Sequence, residues 1–442
     1  MLLNTAKERR SECNYPFHTS LLKIMDEYYQ IENQKDHIIE PFQTFGIKND
    51  STLSKTKKLK ILYVTFLKYP NTGGLSNYIT SLKTGFEKYG HDVDVISPTQ
   101  MTAVHIEQEV PKAAKYTRDF MLQRYGIVNE KIIKNTSFLN VFKSYLREKS
   151  LEQYDIFHAQ DLFAAFLLGQ LNLEYKKPLF FTPHGHFTKS RLKFDKIKKG
   201  SIEEAYFSEI EKQGIRAADQ IITISNSFHT PLKEYGAKTE QLITVHTGIH
   251  FQQDFIPKQD CNNNLVISCI SRLSPRKGHD IFLKALSQIQ QDLSNVEVWI
   301  VGDGVMRERL ENQVIQLGLD RIKFWGRRTD IPKILSSSSI YVLPTINDNF
   351  PISIIEAMLS SQAIITTNCG GIPEMIQNGK TGIICEPGNV QQLSEAIKLL
   401  LTNKSLREQL GKEAQNYSQQ HLTQDVMVSK IERVYYSFMN NM

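Results

Sequence analysis

Two doubly wound α/β domains facing across a cleft are the architecture the sequence predicts. Short apolar, β-branched runs alternate with helical stretches from residue 59 onward. The polar stretch FQQDFIPKQDCNNN (251–264) interrupts that alternation once, after which it starts again. The chain has 442 residues, more than the roughly 250–300 that one hydrophobic core sustains. The expected division is an N-terminal extension over 1–58 packed on the first domain, a first Rossmann-like domain over 59–255, a second over 256–425, and a closing helix over 426–442 that crosses back to the first domain.

The elements follow in order. The extension is polar and ends in the basic run KTKK, with LLKIMDEYY (21–29) as a helical piece. LKILYVTF (59–66) is short, apolar and β-branched, and reads as a buried strand. NTGG follows, and then LSNYITSLKTGFEKYG sets Leu75, Tyr78, Ile79, Leu82 and Phe86 on one helical stripe. Gly90 ends that helix, and DVDVIS is the next strand. Further strands are expected at 154–159, 178–184, 220–225 and 242–248. In the second half, strands at 265–270, 296–301, 321–326, 340–344 and 363–367 alternate with helices at 279–289, 304–318, 331–338 and 351–360. Strands alternating with helices imply a parallel sheet covered on both faces. Ligands of such sheets sit at the carboxyl ends of the strands.

Composition narrows the class. The net charge of +6 is mild and permits an anionic partner without requiring one. The five cysteines, Cys13, Cys261, Cys269, Cys369 and Cys385, form no CxxC pair. That argues against a disulfide scaffold or a zinc ribbon and for a reducing compartment. The opening MLLNTAKERRSE turns polar at once, unlike a signal peptide, and no apolar run approaches the roughly 20 residues of a spanning helix. A cytoplasmic protein is expected, with peripheral residence on the inner face of a membrane as an extension of that reading.

Chemistry-bearing residues fall just after strands. SRLSPRKG (271–278) places Arg272 and Lys277 around Pro275, a loop suited to a diphosphate because Arg grips oxygens bidentately and Lys adds a compact charge. VGDGVMRERL (301–310) holds Gly302 and Gly304 but Arg307 where a third glycine would stand, so it is a weak dinucleotide signature and reads instead as a tight turn open to a nucleotide. NDNFPISIIEAM (347–358) carries Asp348 and Glu356, with Pro351 expected at the first helical position. The amides of Ile352 and Ser353 then face an anion. TPHGHF (182–187) offers His184 or His186 to a polar substrate, and Gly73–Gly74 let backbone approach an anionic group. Each has a structural alternative: a solvated loop, a glycine turn, a helix cap.

Three other stretches weigh less. Asp92-Val93-Asp94 resembles a metal-holding D-x-D but opens a strand rather than ending one. Gly379-Lys380-Thr381 resembles the end of a P-loop, yet Glu374 stands where its leading glycine belongs. SRLKFDKIKKG (190–200) reads as a solvated basic face, or as a contact for an anionic membrane or a polyanionic acceptor.

Taken together, these motifs over about residues 59–420 resemble the retaining glycosyltransferases of the GT-B fold, particularly family 4. Gly73 and Gly74 are similar to that family's glycine pair, His184 to its histidine near the transferred sugar, and Arg272 with Lys277 to its diphosphate-binding pair. Gly302, Gly304, Gly326 and GGIPE (370–374) match further elements, and Asp348 with Glu356 falls on its E-x7-E pair. The resemblance implies His184 and Asp348 at the reacting sugar. It implies Gly73, Gly74, Arg272, Lys277, Gly304, Arg327, Phe350, Ile352, Ser353 and Glu356 at the donor, Glu356 on ribose hydroxyls. A charge-assisted hydrogen bond contributes about 1.5–3 kcal/mol against about 0.3–1 for a helix terminus, so Arg272 and Lys277 are expected to outweigh the helix. No metal or other cofactor is expected, and no nucleic acid. The implied partners are a nucleotide-sugar donor and a glycan, lipid-linked or other hydroxyl acceptor, the latter bound by the first domain, in cell-surface glycan, polysaccharide or glycolipid synthesis. Departures from the family are Asp348 for Glu, Pro351 for an amide-bearing residue, Ser271 for Gly and Thr247 for Asn. An epimerase of the same fold and a degenerate, non-catalytic subunit are the rival readings.

Overall fold

The computed structural model describes residues 15–31, 57–71, 73–251 and 265–440. Thr72, the boundary residues 252–264 and most of the 1–58 extension lie outside the described residues, as do Cys13 and Cys261.

Among the described residues, twelve strands form two parallel sheets. β1 (Lys60–Val64), β2 (Asp92–Ile96), β3 (Ile156–Ala159), β4 (Leu179–Phe181), β5 (Gln220–Thr223) and β6 (Leu242–Thr244) make the first, in the order β2-β1-β3-β4-β5-β6. β7 (Leu265–Ile270), β8 (Val296–Val301), β9 (Ile322–Gly326), β10 (Ile340–Leu343), β11 (Ala363–Thr367) and β12 (Ile383–Cys385) make the second, in the order β12-β11-β10-β7-β8-β9. Helices cover both faces, which is why the central strands are apolar on both sides: all of IYVL in β10 and AIITT in β11 is buried.

Each order reverses direction once, between β1 and β3 in the first sheet and between β7 and β10 in the second. Ligands of doubly wound sheets bind at such switch points, outside the carboxyl ends of the strands. The loops after β1 and β3 begin at Thr65 and Gln160, and those after β7 and β10 at Ser271 and Pro344. The topology alone therefore singles out the neighbourhoods of Gly73, Arg272, Lys277 and Asp348.

The predicted strands are present, several of them shorter than expected. PLFFTPH contributes only Leu179–Phe181 because the chain turns at Pro183, whose missing N–H ends a ladder. Helices at Val110–Tyr125, Glu130–Arg147, Leu162–Tyr175 and Ile202–Ala217 also belong to the first lobe. The extension's helix, Thr19–Tyr28, is tied there by buried Asp26, which accepts from Arg124 at 2.7 and 2.8 Å and from the Tyr125 hydroxyl at 2.9 Å.

The closing helix, Gln424–Asn440, crosses back onto the first lobe. Gln424 donates to the Ser81 carbonyl and to Thr84, both at 2.7 Å. Lys88 pairs with Asp425 at 2.9 Å and His91 with Glu432 at 2.8 Å. The Gly85 helix face lies so close to Val428 that a Cβ there would sit 2.5 Å from a Val428 methyl. Among the described residues no helix is long and apolar enough to cross a membrane.

Candidate active site

The loop after β7 is shaped by its own neighbours. Gly302 and Gly304 have φ of +137° and +156°, and a Cβ on them would stand 2.0 Å from the Ser271 carbonyl oxygen and 2.3 Å from that of Leu273. The glycines of VGDG thus let the Arg272 loop lie flat against the β8 turn. That corrects the expectation that the glycine requirement comes from a nucleotide. Leu273 donates to the Asp303 carbonyl at 2.9 Å, and Gly302 to that of Gly326 at 2.8 Å. Gly278, at φ +69°, backs onto Pro344, where a Cβ would meet the carbonyl oxygen at 2.0 Å. The loops after β7, β8 and β10 are therefore stacked backbone on backbone, and Arg272, Lys277 and Asp348 emerge from one rigid stack.

Lys277 is buried, and its ammonium pairs directly with the Asp348 carboxylate. The two residues had separate expected roles, one on phosphate and one on sugar; here each also holds the other in place. Arg272 is exposed, with its guanidinium pointing across the cleft to the first lobe, 3.6 Å from where a Gly73 Cβ would stand. Ile352 reaches the same loop, its δ-methyl 4.0 Å from the corresponding position on Gly74.

Pro351 stands one residue before the helix Ile352–Leu359, in extended conformation, and not at its first helical position. The amides of Ile352 and Ser353 open the helix and have no carbonyl one turn back. The Ser353 hydroxyl accepts from the Tyr341 hydroxyl at 2.7 Å. Glu356 lies one turn further in, and burial pushes its carboxyl up to about 7. Phe350, expected at the donor, is buried with its ring stacked on His246 of the first lobe, centroids 5.1 Å apart. The ring is spent on the lobe interface. Arg327 is exposed at the end of the edge strand β9.

Across the cleft, His184 follows β4. Its ring meets the edge of Tyr78 at 4.6 Å, and its Nε2 lies 3.5 Å from the Gln160 side-chain oxygen. Burial drives its pKa down to about 3, so at neutral pH it is an uncharged hydrogen-bonding group. His186 also borders the cleft, with a pKa lowered to about 4 by burial.

A cavity of about 900 Å³ lies between the lobes. Gln160, Asp161 and His184 line it on one side and Arg272, Arg276 and Asn349 on the other. All but His184, which follows β4, belong to the loops at the two topological switch points. Arg191, Lys193 and Lys196 line it as well. The basic segment 190–200, expected on a solvated face or at an anionic membrane or polyanionic acceptor, thus turns part of its charge into the cleft. The D-x-D aspartates sit at the amino end of edge strand β2, Asp92 paired with Lys60 and Asp94 accepting from the Tyr154 hydroxyl. Lys380-Thr381 lies in a turn before β12, where the Thr381 hydroxyl accepts from the Gln377 amide at 2.8 Å.

Sequence reasoning missed the residues that join the lobes. Glu374, the acid of GGIPE, accepts from the Asn226 amide and side chain at 2.9 Å, the Ser227 amide at 3.2 Å and His246 Nε2 at 2.9 Å. Asn349 donates to the His184 carbonyl at 2.9 Å. Nothing local in the sequence announces such contacts, since both depend on how two distant lobes meet.

Two facing, doubly wound lobes with cations and helix amides gathered at their switch points define a glycosyltransferase of GT-B architecture. Residues 72–253 match the family model described as Glycosyltransferase Family 4, and residues 251–417 match that of Glycosyl transferases group 1. The chain belongs to the family-4-like glycosyltransferases and is an enzyme of that group. It is 25% identical over 315 residues to an uncharacterized glycosyltransferase of Methanocaldococcus jannaschii, covering 70% of this chain and 84% of that protein. It is 24% identical over 240 residues to the N-acetyl-alpha-D-glucosaminyl L-malate synthase of Bacillus anthracis, covering 52% of this chain and 62% of that one. Among solved structures, Anabaena HepE in complex with UDP and glucose superposes with a TM-score of 0.63 at 20% identity, covering 86% of this chain and 100% of that one. TarM superposes with a TM-score of 0.67 at 12% identity, covering 88% and 100%. At these identities the structural likeness speaks for the fold.

Proposed function

We propose that this enzyme moves a sugar from a nucleotide-diphosphate sugar to an acceptor hydroxyl, with retention of anomeric configuration and without a metal ion, in the synthesis of a cell-surface glycan, polysaccharide or glycolipid. The observation that supports this reading is the stacking of the loops after β7, β8 and β10, which sets Arg272 opposite Gly73 and ties Lys277 to Asp348 in the loop leading to the Ile352–Ser353 amides. Protein cations there supply the positive charge a departing diphosphate needs. The anomeric C–O bond to the diphosphate breaks, the acceptor oxygen attacks the same face, and its proton passes to the departing phosphate oxygen. Asp348 is not assigned as a nucleophile, because its carboxylate is held by Lys277. Neutral His184 orients a sugar hydroxyl, and the half-buried Glu356 carboxyl group receives the ribose hydroxyls. That a structural neighbour holds UDP and glucose supports a nucleotide-sugar as the donor class.

A thermal-shift series with UDP-, GDP- and ADP-sugars tests the reading, since a ligand bound to the folded state raises apparent stability by mass action. One base series is expected to raise the Tm. Arg272→Ala is expected to abolish both that rise and sugar transfer, with the Tm of the protein alone unchanged because Arg272 is exposed. Turnover is expected to persist in excess chelator. Full turnover by Arg272→Ala, or reversible loss of turnover on chelation, overturns the mechanism.

A further inference from the structure

We propose that the first lobe's wall of the cavity is a subsite for a negatively charged group of the acceptor, a phosphate or carboxylate near its reactive hydroxyl, held by Arg191, Lys193 and Lys196. The inference rests on the glycosyltransferase reading above and names the acceptor class for that same cleft.

The cavity's charge is lopsided. Six cations line it, Lys189, Arg191, Lys193, Lys196, Arg272 and Arg276, against one carboxylate, Asp161. That carboxylate is already occupied: it accepts from the Thr65 hydroxyl at 2.8 Å, the Phe66 amide at 2.6 Å and the Phe163 and Ala164 amides at 3.0 Å. Among the cations, Lys189 pairs with Glu234. No ion pair engages Arg191, Lys193 or Lys196 among the described residues. Arg272 and Lys277, on the opposite lobe, suffice for the donor's diphosphate. Arg276 lies on that lobe too, and the three remaining charges of the first lobe, Arg191, Lys193 and Lys196, have no anion to meet on the donor side.

Those charges are also held in position. The short helix Phe187–Lys193 directly continues the His184–His186 loop, and Glu211 from the neighbouring helix accepts both of its opening amides, Phe187 and Thr188, at 3.1 Å. The Arg191 guanidinium lies over the Phe187 ring, 4.1 Å from its centroid. Lys131 donates to the Lys196 carbonyl at 2.8 Å, pinning the turn that follows. Like charges crowded along a cavity wall repel one another unless an anion joins them. Lys198 and Lys199 of the same segment are exposed and do not line the cavity, so the cleft-facing and outward charges can be tested separately.

An anion of this kind reaches the site either free or on a lipid headgroup, and exposed Leu67 and Val305 on the cavity lining suit the second source as well. The test uses the full chain and two charge-matched variants, Arg191→Gln/Lys193→Gln and Lys198→Gln/Lys199→Gln. Binding is measured to glycerol 3-phosphate against glycerol, and to phosphatidylglycerol against phosphatidylcholine vesicles. The cleft-facing variant is expected to lose at least about tenfold in affinity for an anionic probe, and the outward variant less than about twofold. Loss confined to glycerol 3-phosphate identifies a free anionic acceptor, and loss confined to vesicles a lipid-borne one; either supports the subsite. Equal loss in both variants, or no preference for the anionic probes by the unmodified chain, overturns it. UDP binding and acceptor-independent donor hydrolysis are measured alongside. Their persistence in both variants shows that the donor reading stands whichever way the subsite is decided, and their absence in the unmodified chain marks failure of the donor reading instead.

Discussion

Glu356 and the Lys277–Asp348 pair show how one wall of the cleft treats carboxylates in opposite ways. Asp348 is neutralised by a buried ammonium, whereas burial alone acts on Glu356 and raises its pKa to about 7. A raised carboxyl pKa means that the folded state holds its proton where the unfolded chain has lost it. Stability from this group is therefore fully present below the ordinary carboxylate range and falls as pH rises through about 7. Glu356→Gln should raise the Tm more at pH 8 than at pH 5, while weakening donor binding at pH 8. An equal Tm change at both pH values removes the buried-acid account. For the pair, Lys277→Met alone should destabilise by about 3–5 kcal/mol, because it strands a buried carboxylate. Lys277→Met/Asp348→Asn should cost clearly less than the sum of the two single changes. Additive losses in chemical denaturation would mean that the pair is not coupled. The cations and acids of this wall were legible in the sequence because they lie immediately after apolar strand runs. Their pairing was not, since Lys277 and Asp348 are 71 positions apart and meet only because Gly278 lets the β7 loop lie against Pro344.

At the scale of elements, strands were read more completely than helices, and the reason is burial. Strands such as VEVWIV announce themselves by β-branched runs bounded by turn residues. The helix Leu162–Tyr175, LFAAFLLGQLNLEY, is buried on nearly every side, so it carries no apolar stripe to betray its period. β12 is only three residues long, too short for any alternation to register. The turns were legible as glycine-rich, but what the glycines accommodate was not. Gly302→Ala places a methyl 2.0 Å from the Ser271 carbonyl and forces an alanine to φ +137°. Gly379→Ala offers a comparison: φ is +76° there too, but a Cβ would meet nothing within 4 Å. Strain alone should cost about 1–3 kcal/mol. Gly302→Ala should exceed that and also weaken nucleotide binding, because the Arg272 loop must shift. If the two variants lose the same stability and Gly302→Ala keeps full nucleotide affinity, the close stacking of the loops does not position the site.

The lobes meet through apolar contacts, such as Phe350 on His246, and through a focused set of polar ones. The first lobe's described residues end at Phe251 and the second lobe's begin at Leu265, and the chain returns near 422–424, where Ile249 bridges Thr423. Two crossings of this kind leave the lobes free to change their angle unless something fixes it. Glu374 is placed to do so: one carboxylate from the second lobe takes two amides, a side-chain amide and an imidazole from the first. Gly371 lies beside it, and a Cβ there would come within 2.5 Å of the Ser225 Cβ. Asn349 ties the same face to the His184 loop, so the angle between lobes and the position of His184 are set together. Glu374→Ala leaves the first lobe's donors to water, and hydrogen bonds to a charged group are worth about 1.5–3 kcal/mol each in place. The lobes should then splay. Small-angle scattering should report a larger radius of gyration, and kcat should fall by roughly ten- to a hundredfold because the reacting groups on the two lobes no longer meet. Nucleotide binding should change little, since Arg272, Lys277 and Glu356 all belong to the second lobe. Gly371→Ala should do the same by steric means, its Cβ crowding Ser225 and the Asn349 carbonyl while the Glu374 carboxylate itself is kept. Unchanged scattering and kcat in both variants would show that the lobe angle is set elsewhere, by the returning helix Gln424–Asn440 alone.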